Sequence, residues 1–163
     1  MASGLRFVDQ DLKLVALTPA VPSSATPKWV SLKGYHSIQI LIKFLNTTTV
    51  TGSAITLNQA TAVAGTGSKA LNFSTMFAVA DSSSSVIPVQ TAVVSNTFTT
   101  SNVNSKSGWY IIEVRSTDLD MKNGFDCIQV GVGNATASTI DVLYTLRPRY
   151  SGEFTSFIDP TVD

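Results

Sequence analysis

Charge is scarce in this chain of 163 residues. Asp, Glu, Lys and Arg make up 13% of it, against about 25% in an average domain. Eleven basic and 11 acidic residues cancel, so the formal net charge is zero. No field of one sign is present to draw in DNA, RNA or an anionic membrane surface. A neutral, sparsely charged surface also resists self-association poorly, which suits an oligomer or a larger assembly. Cysteine occurs once, at Cys127, which excludes an intramolecular disulfide and a secreted disulfide scaffold. Histidine occurs once, at His36, so no metal centre of two or three imidazoles can form within one chain. The only glutamates are Glu113 and Glu153, and no spacing among them and the aspartates argues for a glycosidase pair. No stretch approaches the ~18 apolar residues of a membrane span. Asp9 and Asp11 interrupt the region where a signal peptide needs its apolar run, so the expectation is a protein made and kept in the cytosol.

Helical periodicity is lacking too. What the chain has is alternation. In Tyr35–Leu45, Ile38, Ile40, Ile42 and Phe44 point one way, and Gln39, Leu41, Lys43 and Leu45 point the other. In Gly108–Ser116, Trp109, Ile111, Glu113 and Arg115 share one face, and Tyr110, Ile112 and Val114 share the other. "SAITLNQA", "FDCIQVGVG" and "STIDVLYTLRP" read as further strands, with shorter ones at Trp29–Leu32, Lys69–Phe73, Ala92–Val94 and Thr97–Thr100. Lys122–Gly124 supplies an Asn-Gly hairpin signal, Gly133–Ser138 a second turn, and Ala80–Ser85 a polar loop. The best place for a short helical turn is Phe73–Ala80. About eight short strands at regular spacing predict an all-β sandwich of one domain, jelly-roll-like. Residues 1–28, with Pro19, Pro22 and Pro27 near their end, read as an extended arm. Residues 29–150 read as the sandwich, and 151–163 as an irregular tail. Phe154, Phe157 and Ile158 in that tail call for packing, on this domain or on a neighbouring subunit.

Three stretches invite a chemical reading. Gly65-Thr66-Gly67-Ser68-Lys69 resembles a phosphate loop, but Ser68 separates Gly67 from Lys69, and Ala70 stands where Ser or Thr is needed. No helix follows to present its N-terminus. A hairpin loop explains both glycines. Asp118–Asp126 carries three carboxylates, but Asn123 and Gln129 occupy the EF-hand positions that require Gly and Glu. Asp118 and Asp120 read as turn caps, with an irregular oxygen set for a hard cation as the alternative. Arg147 and Arg149 flank Pro148, which suits a strand end. If the strand alternates through them, both project to one side, where they could grip carboxylates or carbonyls across an interface. A solvated strand end is the plain alternative. His36 reads as a strand-surface or rim residue and Cys127 as a buried, inert thiol.

Several phrases occur in a telling order. They are Gln59-Ala60, Gly65-Thr66-Gly67, Lys69-Ala70-Leu71 with Phe73, Leu119-Asp120, Phe125-Asp126-Cys127 and Arg149-Tyr150. From about Trp29 to Asp159 the chain resembles a group of small tailed-phage and prophage proteins encoded near the head genes. Met76–Gln90 and the N-terminal arm have no clear counterpart there. The resemblance implies a non-enzymatic virion part, most simply a decoration or cement protein. It would be made in the bacterial cytoplasm and carried on the outside of the capsid. The implied partners are the major capsid protein and further copies of the chain, with a trimer ahead of a dimer. No nucleic acid, membrane, cofactor or metal is expected. Leu5, Phe7, Arg147, Arg149, Tyr150, Phe154 and Phe157 are the candidate interface residues. The alternatives are a neck, tail, fibre-base or receptor-binding component, and a carbohydrate-binding or hydrolytic β-sandwich.

Overall fold

A computed structural model describes residues 11–24, 26–84, 87–150 and 157–162. The described chain forms eleven strands: β1 (Leu12–Ala20), β2 (Val30–Ser31), β3 (Tyr35–Asn46), β4 (Ala54–Ala60), β5 (Lys69–Ala70), β6 (Phe73–Val79), β7 (Val89–Ser95), β8 (Thr97–Thr99), β9 (Ser107–Arg115), β10 (Cys127–Val132) and β11 (Ser138–Pro148). The only helical elements among the described residues are three short 3-10 turns, none able to cross a membrane. Two antiparallel sheets pack face to face. One has the order β1-β11-β3-β9-β6-β7 and the other β2-β10-β4-β5, with β8 also on β4. The expected antiparallel β-sandwich is what the chain forms.

Pairing is nested from the ends inward. β1 pairs β11, β2 pairs β10, β3 pairs β9, and β4 pairs both β5 and β8. β11 also pairs β3, and β10 also pairs β4, which winds the nested ribbon into two layers. The β6–β7 hairpin then extends the larger sheet beyond β9. This hairpin corrects the expected turn at Phe73–Ala80: Met76 faces the core while Phe77 faces out, a strand's period of two.

The core is the meeting of the two inner faces. Ile38, Ile40, Ile42 and Phe44 of β3 lie beside Ile112 and Tyr110 of β9 and Ile140, Val142, Tyr144 and Leu146 of β11. Opposite them sit Ile55 and Leu57 of β4 with Ile128 and Val130 of β10, all fully buried. An aromatic chain crosses between the layers. Phe44 stacks on Tyr110 at 5.5 Å, Tyr110 meets Phe98 of β8 at 4.9 Å, and Phe98 meets Phe73 edge-on at 6.3 Å. Where β6 closes onto β9, only glycine fits. A Cβ on Gly108 would lie 2.0 Å from the Val79 carbonyl oxygen and 2.8 Å from the Phe44 ring.

Two further expectations need correction. The arm assigned to residues 1–28 is, over Leu12–Ala20, a strand. Leu12, Leu14 and Ala16 alternate onto the core, and an edge position tolerates Pro19. The Asn123-Gly124 pair does not join a hairpin. Gly124 takes the left-handed conformation (φ 80°) after a 3-10 turn at Met121–Asn123, and the chain crosses from β9 in one sheet to β10 in the other.

One side chain ties the layers by hydrogen bonds. Tyr144 is fully buried on β11, and its hydroxyl accepts from the Val130 amide of β10 (3.0 Å) and donates to the Lys28 carbonyl (3.3 Å). Burial holds this phenol well above its ordinary pKa, so it stays a neutral donor. Tyr144→Phe leaves the Val130 amide buried without a partner. Its unfolding free energy in denaturant titration is expected to drop by about 1–3 kcal/mol.

Candidate protein interface

Gln59, the Gly65–Lys69 stretch, Asp120 and Phe125 come together where the β4–β5 loop meets the β9–β10 crossover. Gly65 and Gly67 adopt positive φ (79° and 63°) in the loop from β4 to β5. β5 then returns antiparallel to β4, with Gln59 opposite Lys69 and Asn58 opposite Ala70. Lys69 is spent within the fold. Its ammonium pairs with Asp120 Oδ2 at 2.5 Å and lies 3.9 Å from the centre of the Phe125 ring. Lys69 and then Asn123 hold the Asp120 carboxyl below its usual range. The Asp120 amide donates to Gln59 Oε1 at 2.9 Å. The stretch Gly65–Lys69 is thus a turn and half of a clasp between β4 and the β9–β10 crossover. As expected of a turn cap, Asp118 Oδ2 accepts from the Arg115 amide at 2.8 Å. Among the described residues no three His, Cys, Asp or Glu side chains gather to hold a metal ion. His36 is exposed on β3, and Cys127 is buried in β10 with its thiol 3.2 Å from Asp126 Oδ1.

The expected interface residues divide. Leu5, Phe7 and Phe154 lie outside the described residues. Tyr150 is exposed. Arg147 and Arg149 do not act as a pair. Register shifts between Arg147 and Pro148, so alternation breaks at the proline. Arg147 stays outside, 3.6 Å from Asp11, whereas Arg149 turns back to donate to the Tyr35 carbonyl (3.1 Å) and the Ser116 hydroxyl (3.2 Å). The described end of the tail packs on its own domain. The Pro160 carbonyl accepts from the Ser31 amide at 2.8 Å, the Ile158 carbonyl accepts from the Tyr35 hydroxyl, and Ile158 lies on Gly34. Phe157 is half-buried at the start of this segment.

A different surface has the character of an interface. On the outside of the six-stranded sheet, Val15, Leu143, Leu41, Ile111 and Phe77 stand directly opposite one another on β1, β11, β3, β9 and β6. They form one continuous apolar row across five strands, and Val15 and Phe77 are 50% and 41% exposed. The outer face of a half-buried antiparallel sheet is ordinarily polar. A polar row flanks it on one side: Lys13, Thr145, Gln39 and Glu113. On the other side Asp141, Lys43 and Trp109 stand in register, with Lys43 bonded to Asp141 Oδ2 at 2.7 Å. Asp141 Oδ1 is buried and accepts no hydrogen bond among the described residues. Near the row, β6 parts from β9 beyond Ile111. A cleft of about 560 Å³ opens there, with Leu71, Phe73, Val93 and Val114 inside it and Glu113 and Asp118 among its lining carboxylates.

No protein-family model, curated protein or solved structure matches this chain.

The tail contact carries a pH signature. Burial, and then the Asp159 carboxylate, raise the Tyr35 phenol to about 12 from 10.0. The folded protein therefore keeps a proton that the unfolded chain releases near pH 10. The stabilisation is whole below pH 10 and is lost as pH rises toward 12. Thermal melts are expected to fall over that window, and to fall less steeply in Tyr35→Phe.

Proposed function

We propose that this chain is a non-enzymatic structural protein of a tailed-phage virion, binding the outside of the capsid and stabilising the shell by bridging neighbouring subunits. The observation that carries this reading is the apolar row Val15, Leu143, Leu41, Ile111 and Phe77 on a sheet face that water would otherwise favour as polar. The nested strand order supports the reading further. β1-β11-β3-β9 facing β2-β10-β4-β5 is how we read a jelly roll, an architecture that viral capsid domains share with lectins and cupins.

The mechanism is physical. Burying the apolar row against a capsid subunit contributes roughly 25 cal/mol per Å² before association costs are subtracted. One such contact per copy is weak. A symmetric lattice offers many at once, so contacts that bridge two subunits add by avidity. Neutrality lets copies sit side by side without mutual repulsion.

Quantitative mass spectrometry of purified particles from the phage that encodes the chain tests this. A decoration role predicts hundreds of copies per particle, and the double variant Leu41→Lys/Ile111→Glu, an opposite-charge cross-strand pair, should fold normally yet be lost from the particles. A handful of copies per particle, or a variant retained at full occupancy, contradicts the proposal.

A further inference from the structure

We propose that β7 is a docking edge for a second copy of this chain. The two β7 strands pair antiparallel about a twofold axis and join two six-stranded sheets into one. The pairing rests on the strand edges and not on the virion reading.

A sheet edge presents unpaired amides and carbonyls, and soluble proteins blunt such edges by shortness, bulges, proline or charge. The other sheet edges among the described residues are blunted. β2 and β5 are two residues long and β8 is three. β1 carries Lys13, Pro19 and two register shifts against β11. β7 is seven residues long, Val-Gln-Thr-Ala-Val-Val-Ser, with no charge, proline or glycine. It runs in unbroken register with β6 from Val89 to Ala92, and its one irregularity falls between Ala92 and Ser95. It ends the sheet, with no further strand beyond it among the described residues. Val89 is 66% exposed and Val94 wholly so.

Composition names the occupant. In a twofold antiparallel pair, residues near the strand centre meet their own counterparts across the axis. A charged residue there would face its own charge and repel. A foreign partner imposes no such condition. β7 meets it at every position. The contact is isologous, so it closes at two copies and leaves no repeating edge to grow fibres.

Sedimentation velocity on the full chain tests the pairing, using Gln90→Lys/Ala92→Lys. Both positions are exposed, so circular dichroism and thermal midpoint should stay as in the parent chain. The parent chain is expected to dimerise with concentration, and the lysine variant to raise the dissociation constant by about tenfold or more. Mixing it with Gln90→Glu/Ala92→Glu should restore the dimer as a heterodimer, and Leu45→Lys, exposed on the sheet's outer face, should leave it intact. A parent chain that stays monomeric, a dimer unmoved by the lysines, or a lysine–glutamate mixture that fails to pair would each overturn the proposal. A monomer abundant on the shell sinks the pairing alone; a dimer absent from particles sinks the virion reading alone.

Discussion

β3 is paired on both sides for nearly its whole length, with β11 from Tyr35 to Asn46 and with β9 from Ser37 to Leu45. The side-chain period of a strand is two, so this double ladder assigns a face to every residue of three strands at once. A slip of one residue would turn Ile38, Ile40, Ile42 and Phe44 to water and carry Lys43 into the core. Held in register, β3 sets Tyr144 beside Ile40, and from there the Tyr144 hydroxyl reaches β10 in the other layer. The ladder also joins distant parts of the chain: Ser138 bonds Asn46 across 92 residues. Such pairing defers its gain until long loops close, which makes the fold dependent on non-local contacts.

The same register that hides one face of β3 displays the other. Leu41 falls between Leu143 and Ile111, and the row continues to Val15 and Phe77 because β1 and β6 are locked to those neighbours. Three of the polar side chains that drew a chemical reading are engaged within the fold. Lys69 holds Asp120 and Phe125, Asp118 caps a turn, and Arg149 holds the Tyr35 carbonyl. Those polar groups maintain the molecule, and the apolar row is left at the surface beside them.

Strands with strong alternation were legible from sequence alone: β3, β9 and β11 show it plainly, and the Gly65–Gly67 loop betrays itself by failing both motif and context. β1 was hidden because the prolines at 19, 22 and 27 draw attention from the alternation of Leu12, Leu14 and Ala16. β6 was hidden because Phe73, Met76 and Phe77 suggest a helical spacing, and only the neighbours β7 and β9 make it a strand. Asn123-Gly124 states that a left-handed residue is needed, not which strands it connects. Leu41 and Ile111 were visible one at a time as apolar residues on mixed faces. Their union into a row depends on register, which no single strand encodes. Arg147 and Arg149 seemed to share a side until Pro148 broke the ladder between them.

We propose that this protein acts through the outer face of its larger sheet, on a viral shell. A cryo-electron microscopy map of the intact particle tests it most directly. The account predicts copies spread over the capsid exterior with Leu41, Ile111 and Phe77 buried against a capsid subunit. Copies confined to one vertex, or a map in which that face looks out to solvent, would contradict it.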